Sequence, residues 1–397
     1  MKVRWQKIGG LSRLWRVLAD SRLSTPVLAF IITRLGIALV AYLSMPLIAD
    51  SSVPPYHIRP DNVLLDVFGS RWDTGFYLSI AQEGYKFQGV RFPSVAFFPL
   101  LPILMRPLMA LTRDPLLAGL LVANLALLGA AILFYRYVLE EWGEIVASRA
   151  VWYLLIFPTS FFGSAIYTES LFLLLAIGTL YLARKGYWES AAMLGVLLSL
   201  TRFIGIILAP VLLVEWFAQH RYRPAGQSPK RVALLAPAIV PLGTLAYMLY
   251  LRQAFGDPLA FINASVAWGR FPTSPFATIA ALFNRPEGGW GMALATGSLP
   301  LDNWIDFIFV TGFFLLGITL LLQKRWSEGV YVVLGVLLPF SSGLLMSQRR
   351  YVWVLFPAFV LLARWGKLPW VDRIITVFSL MGLGLFTALF ANWYWVG

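Results

Sequence analysis

Long apolar runs alternate with short polar connections along most of the chain, and this pattern is typical of a membrane protein built from helices. A run of about 20 apolar residues is long enough to cross a bilayer as an α-helix. The pattern places crossings at 26–49, 115–136, 146–160, 167–183, 188–201, 203–219, 231–252, 302–323, 329–346, 351–364 and 370–391. The sequence therefore predicts an all-α polytopic bundle of about eleven transmembrane helices.

Two polar stretches interrupt the apolar pattern. Residues 50–114 predict a first extracytoplasmic loop, and residues 253–301 predict a second one, which is a candidate lid or acceptor platform. The three prolines between 99 and 107 disfavour a straight spanning helix, so we interpret this part as a surface or partly re-entrant element. A kinked spanning helix would instead reverse the sidedness of everything after it. Residues 1–397 then form one integral-membrane domain.

The stretch 69–85 is polar but has an apolar face. Its apolar side chains recur at helical spacing: Trp72, Phe76, Tyr77 and Ile80. This spacing predicts an amphipathic helix that lies flat on the membrane surface, with Asp73 in its first turn. Ser70 is the expected N-cap, and the helix dipole favours a carboxylate near it, so capping explains Asp73 as well as a catalytic role does.

Composition and charge exclude several classes of protein. Of the 397 residues, 59% are hydrophobic and 13% are charged, which excludes a soluble domain. The chain has no cysteine and two histidines, which argues against disulfides and against thiolate or histidine metal centres. The formal charge is +13, and basic residues concentrate in 1–25 and in predicted inner loops such as 215–231. This bias indicates a cytoplasmic N-terminus rather than nucleic-acid binding. The basic start runs into an apolar segment without a small-residue cleavage site, so we expect no cleavable signal peptide, and we expect the protein in the plasma membrane.

Polar side chains at the predicted outer ends of apolar helices are the candidates for chemistry. Glu169 begins one such helix, where it either stabilises the helix dipole, with Thr168 as cap, or binds an arginine or sugar hydroxyls. Arg202 lies between two apolar runs, and Arg349 and Arg350 follow another. Because guanidinium groups bind phosphate in a bidentate manner, these arginines indicate capture of a lipid-linked phosphate. Snorkelling at a helix end is the alternative.

One arginine within a predicted crossing and the absence of known nucleotide and hydrolase motifs also bear on the function. Arg34 lies inside the first predicted crossing, where we expect its side chain to snorkel towards the cytoplasmic surface. The sequence contains no Walker loop, no HExxH and no GxSxG motif, and no soluble nucleotide-sugar domain. A glycosyl donor would therefore have to arrive within the membrane.

Four blocks, in order over residues 71–203, resemble the PIG-V family, the GPI mannosyltransferase II proteins and their bacterial relatives. The blocks are Arg71-Trp72-Asp73-Thr-Gly-Phe-Tyr77 through Tyr85, Phe97-Phe98-Pro99-Leu-Leu-Pro102, Phe157-Pro158 through Tyr167-Thr-Glu169-Ser170, and Thr201-Arg202. The C-terminal half is similar only through Arg349-Arg350-Tyr351 and Phe356-Pro357. The loop 253–301 departs from the family pattern, so we expect it to govern the choice of acceptor.

The resemblance implies a GT-C fold and a polyprenyl-phosphate sugar donor, typically of mannose. It implies that Asp73, in the first outer loop, is the catalytic base. The expected donor-binding residues are Arg202, Arg349, Arg350, Glu169, Tyr167, Arg71 and Trp72. The acceptor is a lipid or glycan, and the other partners are membrane lipids. No cofactor is required for this reaction, and a divalent cation is left open.

Two other functions fit parts of the pattern. A transporter or flippase of lipid-linked sugars would use the same arginines for phosphate, although no repeat relates the two halves of the chain. An assembly protein without a reaction would leave Asp73, Glu169 and Arg202 far apart. A structure that gathers the three around one cavity argues against the assembly protein, and an assay of sugar transfer separates the enzyme from the transporter.

Overall fold

A computed structural model describes residues 21–51, 57–222, 229–284, 286, 288–297, 299 and 301–397. Most of the predicted cytoplasmic N-terminus, residues 1–20, lies outside the described residues. Within the described ranges the regular structure is helical throughout, as expected for an all-α protein.

Eighteen α-helices follow one another along the described chain. They are α1 (Ser21–Ser44), α2 (Val63–Ser70), α3 (Thr74–Glu83), α4 (Leu100–Thr112), α5 (Pro115–Ile156), α6 (Glu169–Arg184), α7 (Trp188–Ser199), α8 (Leu208–Tyr222), α9 (Leu235–Ile239), α10 (Leu242–Phe255), α11 (Ala260–Ser265), α12 (Pro275–Leu282), α13 (Gly289–Thr296), α14 (Leu301–Leu322), α15 (Trp326–Phe340), α16 (Gln348–Val352), α17 (Pro357–Trp365) and α18 (Pro369–Ala391). Short 3₁₀ turns, among them Ser160–Ser164 and Phe203–Ile207, connect some of them.

Six helical segments of the described residues are long and apolar enough to cross a membrane. They are Arg22–Ser44, Pro115–Ile156, Phe203–Tyr222, Arg231–Phe255, Leu301–Leu322 and Pro369–Ala391. The expected number of about eleven crossings is therefore not confirmed. Other predicted crossings correspond to shorter helices such as α7 and α15, with 12 and 15 residues. Such helices measure about 18 and 23 Å at a rise of about 1.5 Å per residue, less than a hydrocarbon core of about 30 Å.

One long helix contains two of the predicted crossings. In α5, Gly143 has φ 78° and ψ 174°, a conformation that glycine adopts far more readily than other residues. The two halves of α5 come back to one end of the bundle. Asn124, in the first half of α5, donates a hydrogen bond to the carbonyl of Ser164 in the following turn. Arg34 donates to the Ser164 hydroxyl and also to the carbonyl of Leu155, which is in the second half of α5. The break at Gly143 therefore turns the helix back on itself.

The expectation that Arg34 snorkels to the surface is wrong. Its side chain is buried within the bundle. The guanidinium donates to the Leu155 and Ser160 carbonyls at 2.8 Å each and to the Ser164 hydroxyl at 3.3 Å. Since buried donors need acceptors, these bonds replace the water that snorkelling would have reached, and they hold α1 against the turn before α6.

The first large polar stretch folds into the three short helices α2, α3 and α4. The amphipathic stretch forms α3, and the proline-rich stretch forms α4, with Pro107 inside the helix. With 13 residues, α4 is about 20 Å long, too short to span the hydrocarbon core on its own. Its length fits the surface or re-entrant interpretation, while its position against a bilayer stays a prediction.

A cluster of charged side chains closes one end of the bundle. The buried Glu328 contacts Arg184, with 3.0 Å between the ion-pair atoms, and Arg325. Arg325 also contacts Glu141, and Nε of Arg184 lies 3.9 Å from Oε2 of Glu215. The sequence places all of these residues on the inner side, and the structure brings them together at one end. Ion pairs at this depth stabilise one specific arrangement of the helices, because removing either partner leaves a buried charge.

Candidate active site

A cavity of about 470 Å³ lies at the other end of the bundle. Helix α6 connects the two ends, since Glu169 begins it at the cavity and Arg184 ends it in the charged cluster. The lining comes from widely separated parts of the chain: Asp73, Tyr77, Phe97, Tyr167, Glu169, Arg202, Trp268, Arg270, Arg350, Tyr351 and Trp395 are among its residues. The folding of the bundle thus gathers into one site the polar connections that the sequence predicts on the outer side.

Asp73 reaches the cavity through a tight turn between α2 and α3. Trp72 adopts φ 54°, in the left-handed region that costs a residue other than glycine about 1–2 kcal/mol. Asp73 then takes the N-cap position of α3, but in the described structure its carboxylate caps no backbone N–H of that helix. Ser70, the expected cap, ends α2 instead, and its hydroxyl donates to the Asp66 carbonyl. Ser70 therefore does not cap α3, while Asp73 stays at the N-terminal end of that helix, where the dipole favours a carboxylate. Backbone strain like that at Trp72 is concentrated at functional sites.

Glu169 and Arg202 form a close ion pair in the cavity. Glu169, in the first turn of α6, is 1% exposed, and its Oε1 lies 2.6 Å from Nη1 of Arg202. Its second oxygen, Oε2, has no hydrogen-bond partner among the described residues. Behind Arg202 the chain turns tightly, since a Cβ at Gly205 would lie 2.6 Å from the Leu198 carbonyl oxygen. Glu169 thus meets an arginine, one of the two partners that the sequence allows for it.

Arg350 joins the two carboxylates of the cavity. Its Nη1 lies 2.9 Å from Oδ2 of Asp73, and its Nε lies 3.2 Å from Oε1 of Glu169. The guanidinium carbon is also between 5.1 and 5.4 Å from the ring centroids of four aromatic residues, Phe162, Tyr167, Tyr351 and Trp395. Rings at this distance attract a cation and restrict its movement. Arg350 therefore holds Asp73 and Glu169 in a fixed arrangement.

Tyr167 fixes the backbone that carries Asp73. Its hydroxyl accepts a hydrogen bond from the Asp73 N–H at 3.2 Å and donates to the Arg71 carbonyl at 3.2 Å. The side chain is 2% exposed and lies at the wall of the cavity. Since both bonds go to the turn at Trp72, Tyr167 acts as a positioning residue for the strained segment.

Arg270 and Tyr351 belong to the cavity but were absent from the residues predicted for the site. The guanidinium carbons of Arg202 and Arg270 lie 4.5 and 5.6 Å from the Tyr351 ring centroid. Arg270 is held by the Ser342 hydroxyl at 2.9 Å and the Met346 carbonyl at 3.0 Å. The only sequence signal for Arg270 is its place in a polar loop, two residues after a tryptophan, and that signal does not fix a position in space.

The surrounding arginines change the acidity of Tyr351, which lies outside the six candidate spans. Burial alone would raise the pKa of its phenol. The guanidinium groups of Arg270, Arg350 and Arg202 outweigh burial and lower the pKa to about 8. The cavity is therefore electropositive around Tyr351.

Arg349 is bound elsewhere. Its Nε lies 2.9 Å from Oδ1 of Asp306 and its Nη2 lies 2.9 Å from Oδ1 of Asp302, and it is 2% exposed. The backbone N–H of Arg349 also donates to Asp306. These bonds tie α16 to α14, so the structure gives no support to the donor-binding role predicted for Arg349. Arg350 is the member of the pair that faces the cavity.

Arg71 is likewise a structural residue in this fold. It is fully buried, its Nη1 lies 2.8 Å from Oδ2 of Asp66, and its guanidinium carbon lies 4.4 Å from the Trp393 ring centroid. Its neighbour Trp72 lines a separate groove beside the cavity and lies 5.3 Å, ring to ring, from Trp395. Arg71 therefore supports the turn that carries Asp73 instead of contacting a donor in the cavity.

Asp66→Asn should destabilise the protein by about 3–5 kcal/mol, because Arg71 would stay buried without its counter-charge. Burial raises the pKa of the Asp66 carboxyl, but the backbone N–H of Arg59 and the guanidinium of Arg71 outweigh it and lower the pKa to about 2. A carboxyl with a lowered pKa stabilises the fold above its unfolded value of about 4 and loses that effect as the pH falls towards 2. The difference in the free energy of unfolding between wild type and Asp66→Asn should thus become smaller at low pH.

Thermal unfolding of the detergent-solubilised protein at pH 7 and pH 3 measures this effect. Asp61→Asn is the matched control, because Asp61 is 67% exposed in the same polar stretch. Equal melting temperatures of wild type and Asp66→Asn at pH 7 would contradict the structural role of the pair.

The described residues contain no group of three or more His, Cys, Asp or Glu side chains that could hold a metal ion. The two carboxylates of the cavity, Asp73 and Glu169, both contact Arg350. Together with Arg202, which also contacts Glu169, Arg350 matches their two negative charges with two guanidinium groups. The divalent cation that the sequence leaves open stays a prediction.

Comparison with known proteins identifies a family and several solved structures of similar shape. The family model described as mannosyltransferase (PIG-V) matches residues 28–225. No match was found among curated proteins. The apo oligosaccharyltransferase of Archaeoglobus fulgidus is 14% identical with a TM-score of 0.45, over 95% of this chain and 56% of that chain. AglB of the same organism, in complex with an inhibitory peptide and a dolichol-phosphate, is 14% identical with a TM-score of 0.46, over 98% and 57%.

This chain therefore spans little more than half the length of those solved structures. The segment matched by the family model contains Asp73, Tyr167, Glu169 and Arg202, four residues that the structure places at the cavity. It also contains the four blocks that resemble the family. The chain belongs to the PIG-V mannosyltransferase family.

Proposed function

We propose that the protein, with a GT-C fold, transfers a mannosyl unit from a polyprenyl-phosphate donor to a hydroxyl group of a lipid or glycan acceptor. We place this reaction on the extracytoplasmic side of the plasma membrane. The observation that carries the proposal is the network in which Arg350 contacts both Asp73 and Glu169, while Arg202 contacts Glu169. A transfer from a lipid-linked phosphate needs a base for the acceptor and cations for the leaving group, and this network supplies both.

The cations of the cavity match the charge of a donor phosphate. Arg202 and Arg270 both lie against the ring of Tyr351, and three arginines accompany two carboxylates in the lining. The phosphodiester of the donor carries one negative charge, and the released monoester carries close to two near neutral pH. Fixed guanidinium groups stabilise such charge as it develops, which lowers the barrier more than it strengthens ground-state binding.

Asp73 is suited to act as the base in a single displacement. Its side chain is 21% exposed, so an acceptor hydroxyl can reach it from the cavity. Asp73 takes the proton of that hydroxyl while the oxygen forms a bond to the anomeric carbon. The bond between the anomeric carbon and the phosphate oxygen breaks, and its electron pair leaves with the polyprenyl phosphate. The attack comes from the side opposite to the phosphate, so the configuration inverts through a transition state with oxocarbenium character.

Arg350 and Glu169 support this step without taking the proton. Arg350 orients the Asp73 carboxylate through a hydrogen bond from its Nη1 to Oδ2. Glu169 orients Arg202 through Oε1 and has a buried second oxygen without a partner in the described structure. A buried acceptor without a partner is costly, so we assign Oε2 to a hydroxyl of the donor sugar.

The experiment that tests the function is a transfer assay with purified protein in detergent. Polyprenyl-phosphate mannose is supplied with candidate glycolipid and glycan acceptors, and products are identified by mass spectrometry. Formation of a mannoside is the expected result, and polyprenyl-phosphate glucose tests the choice of sugar. Movement of intact donor across proteoliposomes, without any glycoside, would contradict the proposal and favour a transporter.

The KM for the donor should rise as the pH is raised through about 8, the pKa of Tyr351. Above this pH the phenolate neutralises part of the charge of Arg202 and Arg270, and it competes with the donor phosphate for the same groups. The rise is limited to about tenfold per pH unit, as for any single titrating group.

Initial rates at several donor concentrations between pH 6.5 and about 9.5 measure this dependence. Tyr351→Phe keeps the ring beside the two arginines but has no phenolic hydroxyl, so its KM should be independent of pH in this range. An identical rise in both proteins would assign the effect to another group.

A further inference from the structure

A groove of about 260 Å³ lies next to the cavity on the other face of the turn that carries Asp73. It is lined by one side of α3 and by the loop that follows, with Trp72, Gly75, Phe76, Ser79, Phe92 and Ser94 as its main residues. None of the roles assigned above uses Gly75, Ser79, Phe92 or Ser94. The groove is therefore a second, distinct feature of the polar stretch 50–114.

A single layer of aromatic rings separates the groove from the cavity. Phe76, which lines the groove, is stacked on Phe97 with 4.5 Å between ring centroids, and Phe97 lines the cavity. Trp268, also at the cavity, lies 5.6 Å from Phe76 and 5.4 Å from Phe92. Asp73 directly follows Trp72 of the groove in the chain, so the base stands at the boundary between the two spaces.

The lining of the groove has the chemistry of a carbohydrate site. Aromatic rings offer flat apolar faces to the C–H groups of a sugar, and the hydroxyl of Ser79 can exchange hydrogen bonds with sugar hydroxyls. The buried Ser94 hydroxyl instead bonds to the backbone of Lys86 and holds the loop in place. The indole N–H of Trp72 is buried and has no partner in the described part of the chain. At Gly75 an added Cβ would meet no atom within 4 Å, so this position leaves the groove open. Lys86, at the rim, is already paired with Glu83.

We propose that this groove binds a sugar unit of the acceptor glycan, while the donor occupies the cavity. An acceptor held there would reach past the edge of the aromatic layer and present a hydroxyl to Asp73. The inference rests on the proposed transfer reaction and assigns the two substrates to separate spaces. It further implies that the acceptor carries at least one sugar and is not a bare lipid alcohol.

Ser79→Trp tests the assignment, because an indole at this position fills the groove without touching the cavity. We expect the KM for a mannose-containing glycan acceptor to rise about tenfold or more. Hydrolysis of polyprenyl-phosphate mannose in the absence of acceptor should stay unchanged, since it uses the cavity alone.

Gln82→Trp is the matched control, as Gln82 is exposed on the same helix outside the groove. Phe92→Ala, at a half-exposed ring of the groove, is a second variant that should also raise the acceptor KM.

A binding measurement separates this inference from the proposed function. A photoreactive methyl α-D-mannoside and its mannobiose analogue are crosslinked to wild-type protein, and labelled peptides are mapped by mass spectrometry. Labels on residues 72–94 that disappear in Ser79→Trp support the groove. An unchanged acceptor KM in both variants, or an equal loss of transfer and hydrolysis in them, would overturn the assignment, as would labels that remain in Ser79→Trp. Absence of any transfer or hydrolysis by wild type would refute the proposed function instead.

Discussion

Asp73→Asn should lower kcat for sugar transfer by about 10²–10⁴-fold and leave donor binding nearly unchanged. Asparagine keeps the size of the side chain but cannot take a proton from the acceptor hydroxyl. Donor binding should persist because the phosphate is assigned to Arg202 and Arg270, which do not contact Asp73 in the described hydrogen bonds. Arg350 loses one partner in this variant but keeps Glu169. Rapid-quench measurement of one turnover, together with equilibrium binding of labelled donor, gives both quantities.

Asp61→Asn is the control for this prediction, because it removes an exposed carboxylate from the same polar stretch. It should transfer sugar at the wild-type rate. A rate for Asp73→Asn within about threefold of wild type would remove the assignment of the base, since a general base accounts for a factor of about 100 at least.

Arg202→Ala should weaken donor binding by about 30-fold or more, which corresponds to about 2 kcal/mol. The variant loses a cation for the phosphate and also leaves Glu169, which is 1% exposed, with Arg350 as its remaining guanidinium partner. Arg202→Lys keeps the charge but not the fork of donors that matches a phosphate, so it should recover only part of the affinity. Titration with fluorescent polyprenyl-phosphate sugar measures these constants.

A double-mutant cycle separates the phosphate contact from the ion pair with Glu169. If Arg202 acts only by neutralising Glu169, the double variant Arg202→Ala with Glu169→Gln should bind donor like Glu169→Gln alone. We expect the double variant to stay weaker, because the phosphate contact is lost in it as well. Arg252→Ala, at an exposed position on α10, is the control and should bind donor normally. Normal donor binding by Arg202→Ala would contradict the phosphate role.

Much of the candidate site could be predicted because its residues break a strong local pattern. Asp73, Glu169 and Arg202 are polar residues at or near the ends of apolar helices, where charge is expensive unless it has a partner. Their positions relative to the predicted crossings place them at one end of the bundle before any contact is known. The structure brings all three to one cavity, linked through Arg350.

The partners of individual arginines could not be predicted in the same way. Arg349 and Arg350 are adjacent and have the same local environment, yet one binds Asp306 and the other faces Asp73. Arg71 is two residues before Asp73 in the chain but is neutralised by Asp66. These choices depend on helix packing between residues far apart in the chain, which periodicity and composition do not encode.

The number of crossings was uncertain for a related reason. Apolar runs show that a segment prefers lipid or protein, but in a large bundle many helices are surrounded by other helices instead of lipid. Helices such as α7 and α15 are apolar because they pack against other helices, although they are too short for a full span. The connection between the predicted crossings 115–136 and 146–160 contains Gly143, where α5 breaks. The residue at which the break falls could not be predicted, because a single glycine in a helical pattern predicts a turn only weakly.

The anomeric configuration of the transferred sugar is the most direct test of Asp73 as a base rather than a nucleophile. The product of the wild-type reaction is isolated after one transfer, and the one-bond carbon–proton coupling at its anomeric centre is measured by NMR. A single displacement assisted by Asp73 predicts a configuration opposite to that of the donor. Retention would require two displacements through a covalent intermediate, and it would contradict the mechanism.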